Sequence, residues 1–196
     1  MTLARRGRSL AVSGFLLAGA IGIISSTQTW ITVERADAGE AILVPGASAL
    51  VLLAPLSLAV LALGAALSIA GRVVRLAFAV LGAASAVFLG WSTLHLLIAV
   101  PESAIAPTVT EVTGLAGTAA ISDVVRSAVP TAWPVFALIG WVILLAASVL
   151  VLVTWRRWKA GGRRYRTAPE AAAPQDGPVD AVDSWDDLSR GTDPTR

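Results

Sequence analysis

Apart from Arg75 at the edge of one of them, His95 is the one ionisable side chain inside the long apolar stretches of this 196-residue sequence. Such a group is costly to keep within a membrane-spanning segment and is therefore a candidate for function. Trp91 precedes it by four residues, which puts both on one helical face, and Trp141 lies within another apolar stretch. Trp91, His95 and Trp141 form the candidate ligand-facing set, suited to a small aromatic molecule. The competing reading makes the two indoles packing residues and lets His95, five positions before Val100, reach interfacial water. No second His and no carboxylate stands in the apolar stretches to complete a proton relay. The chain has no Cys, which excludes disulfides, thiolate metal sites and a cysteine nucleophile. It has no metal-ligand cluster, no Ser/His/Asp set and no Gly-rich phosphate loop. The adjacent Asp186 and Asp187 suit the N-terminus of a short helix rather than acid–base work. We expect neither a cofactor nor an enzyme.

The elements that must position these residues follow from composition. Hydrophobic residues make up 56% of the chain and charged residues 14%, with mean hydropathy +0.74; a soluble domain carries about 25% charged residues. A spanning helix needs about 20 mostly apolar residues. Four segments qualify, at about 10–29, 47–70, 73–100 and 133–155, uncharged but for Arg75 at the start of the third. In lipid each must satisfy its own backbone hydrogen bonds, so each is expected to be helical. The fold class is thus an all-α integral membrane protein, a four-transmembrane-helix bundle. Small residues in register, Gly14, Ala18 and Gly22 and then Gly82, Ala86 and Gly90, offer faces for close helix approach. Pro55 is expected to kink the second span.

Basic residues near span ends set orientation. Arg5, Arg6 and Arg8 precede the first span, Arg72 and Arg75 join the second to the third, and Arg156, Arg157 and Lys159 follow the fourth. The two remaining loops, 30–46 and 101–132, carry most of the acidic residues that lie between spans. Both termini are therefore expected in the cytoplasm of a plasma-membrane protein. The net charge of +2 and the isoelectric point near 9.9 do not indicate nucleic acid, because the basic residues flank apolar segments. A cleaved signal peptide ending at Ala36-Asp37-Ala38 is the competing reading, but the apolar stretch exceeds a usual signal core. Trp30, Trp133, Trp155 and Trp158 fall at span ends, where indoles gather at the interface.

Outside the membrane, Thr29–Val33 and Ala41–Val44 flank a polar, Gly-containing turn and predict a small outer β-hairpin. Two strands alone are marginal, so they would rest on helix ends or on the second loop. In that loop Ile121, Val124, Val125, Ala128 and Val129 repeat at helical spacing before Pro130, which predicts an outer amphipathic helix. Beyond the basic stretch, 169–183 reads as a disordered cytoplasmic tail. Ser184-Trp185-Asp186-Asp187 then forms a capping box. Trp185 and Leu188 share one face there, and with Arg190 they make a candidate docking motif for a cytoplasmic protein partner. The bilayer is the other partner, and homo-oligomerisation is compatible with the small-residue faces.

Four spans, Thr29-Trp30-Ile31-Thr32-Val33, Thr131-Ala132-Trp133-Pro134, Arg163-Arg164-Tyr165 and the closing residues 185–195 give the chain a likeness over nearly its whole length. It resembles the actinobacterial tryptophan-biosynthesis-associated membrane proteins. The resemblance implies a plasma-membrane setting and a link to tryptophan metabolism, with no activity to carry over. The expected function is that of an accessory or regulatory membrane protein; the alternative is a small carrier of tryptophan or a related aromatic metabolite.

Overall fold

The computed structural model describes residues 2–154. Trp155, Arg156, Arg157, Trp158, Lys159 and the tail motif with Trp185, Leu188 and Arg190 lie outside them. Ten elements follow in order: α1 (Thr2–Ser26), β1 (Thr29–Arg35), β2 (Ile42–Pro45), α2 (Gly46–Ala49), α3 (Leu53–Leu67), α4 (Arg72–Ile98), α5 (Glu102–Thr113), α6 (Thr118–Val124), β3 (Val125–Pro130) and α7 (Trp133–Thr154). Among the described residues three helices are long and apolar enough to cross a membrane, within Gly7–Ser26, Val73–Ile98 and Trp133–Thr154.

The second expected span is shorter than its apolar stretch. Its 15-residue helix α3 rises about 22 Å against about 30 Å of hydrocarbon. The chain breaks after α2, where Leu50 is extended, and restarts at Leu53. Pro55 therefore sits in the first turn of α3, where its missing N–H has no helical acceptor to forfeit. It does not kink the helix interior as expected.

Four apolar helices pack antiparallel in sequence order, α1 on α3 and α7, and α7 on α4, while α3 and α4 touch only sparingly. The small-residue faces set the close approaches. A Cβ on Gly14 would sit 2.7 Å from Ala147 Cβ, and one on Gly82 2.5 Å from the Phe15 ring. In lipid, where apolar burial gains little, such backbone proximity is a main source of helix association.

Beyond one end of the bundle lies a three-stranded antiparallel sheet of order β2-β1-β3. The β1–β2 pair lies where the hairpin was expected, but a third strand joins it. That strand corrects the amphipathic-helix expectation, since residues 118–124 are helical and 125–130 pair with β1. The helical spacing of Ile121 to Val129 loses because β1 presents an open edge of backbone donors and acceptors. Val125 and Val129 are β-branched and favour the extended form. The sheet also accounts for the signal-peptide alternative: cleavage after Ala38 would remove α1 and the central strand β1.

Trp30, expected at the lipid–water interface, is fully buried. Its Nε1 donates to Ser25 O at 3.0 Å and lies 2.9 Å from Ser25 Oγ. Thr131 clamps the same strand, its N–H reaching Trp30 O at 2.8 Å and its Oγ1 reaching Thr29 O at 2.6 Å. The Thr29–Val33 and Thr131–Pro134 motifs, a hundred residues apart, are thus two sides of one joint. Trp133 stays partly buried against Phe136, ring centroids 5.8 Å apart.

In the β1–β2 turn, Arg35 Nε donates to Asp37 Oδ1 at 2.9 Å. This hydrogen bond, aided by the Gly39 N–H, lowers the Asp37 pKa from 3.8 to about 2. A carboxyl depressed on folding adds stability above its ordinary pKa and loses it as pH falls through the folded value. The window here runs from about pH 4 down to about 2, with a small effect because the pair is exposed. A carboxyl-carbon NMR titration should show Asp37 ionised to about pH 2, and Arg35→Gln should move its midpoint back toward the ordinary value.

Candidate functional site

The three candidate residues do not converge. Trp141 points into the bundle and is 2% exposed, whereas Trp91 is 70% exposed and His95 is exposed beside it.

Around Trp141 all four apolar helices meet at one level. Its indole Nε1 lies 3.3 Å from Thr93 Oγ1 on α4, which itself donates to Leu89 O at 2.7 Å. Its ring lies over Gly22 of α1, where a Cβ would come within 2.6 Å of Trp141 Cη2. Ser57 of α3 is beside the same glycine and donates to Leu53 O at 2.6 Å. Ser57 and Thr93 are fully buried with their hydroxyls satisfied inside their own helices. This layer is filled, and its one indole N–H is spent on Thr93.

Trp91 and His95 instead line a cleft of about 370 Å³ near the sheet-bearing end. The α4 face supplies Trp91, Ser92, His95 and Leu96. Ala49 and Leu50 and the start of α5, with Pro101, Ser103 and Ala104, complete the lining. The volume falls within the range of small-ligand pockets, about 300–1,000 Å³. The lining is apolar apart from an imidazole and two serine hydroxyls, and it holds no carboxylate. The i, i+4 spacing of Trp91 and His95 was legible; their partners from α2 and α5 were not, because they come from the helix break and the loop.

The topology-setting residues among the described ones occupy the other end. Arg8 is exposed on α1, and Arg5 and Arg6 lie in that helix's first turns. Arg72 opens α4. Arg75 is 3% exposed and donates from Nη2 to Ala70 O at 2.9 Å, bracing the α3–α4 turn. Among the described residues no group of His, Cys, Asp and Glu could hold a metal.

A family model described as tryptophan-associated transmembrane protein matches residues 12–195. The chain belongs to this family. The match takes in the bundle, the sheet, the Trp91–His95 cleft and the tail motif alike. Membership makes the chain a transmembrane protein and carries an association with tryptophan. No curated protein matches the chain, and no solved structure does.

Proposed function

We propose that this tryptophan-associated transmembrane protein is a non-enzymatic accessory component of the plasma membrane. Its cytoplasmic tail docks a protein partner through Trp185, Leu188 and Arg190. In this reading α3 makes a fourth crossing, so both termini lie in the cytoplasm with the basic residues Arg8 and Arg72. The sheet lies outside. The observation that carries the reading is the filled layer at Trp141. A carrier needs polar groups and unwound backbone within the membrane, whereas a packed indole fills the bundle interior where the four apolar helices meet.

The test has two arms. Deleting the gene should impair growth without external tryptophan and leave it normal with tryptophan supplied. The full chain should capture a cytoplasmic partner that the Trp185→Ala/Leu188→Ala variant loses at least tenfold. Normal growth in both media together with unchanged capture would overturn the proposal. The carrier reading draws on the lateral cleft, whose Trp91 and His95 suit an aromatic molecule. Uptake of labelled tryptophan into vesicles holding the full chain, above empty vesicles, would favour it instead.

A further inference from the structure

The cleft lies at a particular depth. With 27 residues, α4 is about 40 Å long and exceeds the hydrocarbon by about 5 Å at each end. His95 stands three residues from its last residue, Ile98, about 5 Å along the axis. That is the boundary of the hydrocarbon, where the glycerol esters begin and the phosphate lies just above. Trp91 is one turn deeper, at the top of the hydrocarbon, where interfacial indoles settle. Below it the exposed face of α4 continues with Phe88, Val87 and Leu81, all apolar. The cleft is thus polar at the hydrocarbon boundary and apolar below it, and it opens on the lipid-facing side of α4.

We propose that this cleft is a binding site for one phospholipid of the leaflet at the sheet-bearing end. The phosphate takes hydrogen bonds from the His95 imidazole N–H and the Ser103 hydroxyl, and the upper acyl chain lies against Trp91 and Leu50. Hydrogen-bonding chemistry selects this occupant. The lining offers donors and no carboxylate, which suits a phosphate and leaves the ammonium of a free amino acid without a counter-ion. Walls from α2 and α5, which pack on each other beside α4, distinguish the site from the smooth lipid-facing surface, where lipids exchange without preference. The proposal is independent of the tail, of tryptophan and of which leaflet faces the cytoplasm.

Native mass spectrometry of the full chain in mild detergent, with phosphatidylglycerol added, tests it. One lipid per protomer should survive conditions that strip the remainder. His95→Leu and Ser103→Trp, both at exposed positions, should lower that occupancy at least tenfold, while Val135→Trp on the exposed face of α7 should leave it unchanged. Fluorescence gives a second readout that tolerates a misfolded variant. Brominated phosphatidylglycerol should quench the Trp91 contribution, taken as wild type minus Trp91→Phe, at a lower lipid fraction than the remaining indoles. Three results each overturn the proposal: no retained lipid, equal retention in all four proteins, or displacement of the lipid by micromolar indole-3-carboxylate. The last would reassign the cleft to a soluble aromatic acid.

Discussion

Trp141→Ala is expected to cost about 3 kcal/mol of stability, the lower end of the range for deleting a buried aromatic side chain. The lower end applies because lipid is itself apolar, so the loss is one of packing contacts rather than of transfer from water. Packing is nonetheless where this bundle is committed. The indole is 2% exposed, covers Gly22 beside Ser57, and reaches Thr93, so one side chain touches the meeting point of α1, α3, α4 and α7. Gly22 has no side chain with which to refill the space. For a chain of this size the change corresponds to about 6–12 °C in melting temperature. Trp141→Phe keeps most of the ring and gives up the bond to Thr93, and should cost about 1 kcal/mol. Thermal unfolding of the full chain in one detergent, followed by near-ultraviolet circular dichroism, checks both. A shift below 2 °C for the alanine variant would remove Trp141 from the role assigned to it.

Gly46→Ala, the gain of one methyl group, should be nearly as damaging. The added Cβ would lie 2.7 Å from Trp30 Nε1 and 2.9 Å from Ser25 O, which are donor and acceptor of one buried hydrogen bond. Overpacking costs about 1–3 kcal/mol, and an indole N–H driven off its partner adds about 1–3 kcal/mol. Together they give a loss of about 3 kcal/mol. A double-mutant cycle with Trp30→Phe isolates the cause. Phe has no N–H to displace, so the two losses should fall short of additivity by at least 1 kcal/mol. Full additivity would mean that Gly46 serves some end other than room for Trp30.

The long apolar helices were legible because spans without charges admit few alternatives. The Trp91–His95 pairing was legible for a similar reason, since helix geometry alone sets i, i+4 neighbours. What escaped depended on distant partners. Residues 125–130 matched a helical period, yet their conformation is decided by β1, where Thr32 pairs with Val129. Trp30 reads as interfacial from its distance to the helix end and becomes core only because the sheet folds over Ser25. Helix α5 is masked by β-branched residues and by Pro107, although Gly114, with φ +71° at its C-cap, was a usable stop signal. That Trp141 faces inward while Trp91 faces outward depends on the rotation of each helix about its axis, which apolar runs on all sides do not reveal.

The β2-β1-β3 order also bears on how the protein is made. Strand β1 leaves the ribosome almost a hundred residues before β3, its neighbour on one side. During synthesis of α3 to α6 that edge is unpaired, and open strand edges invite pairing with other chains. The sheet closes only when residue 130 emerges, immediately ahead of α7. Thr131 then locks the strand at Thr29 and Trp30, two residues before the last helix begins. Chains that stop short of that point carry an unprotected edge, which gives membrane quality control a clear mark of an unfinished molecule.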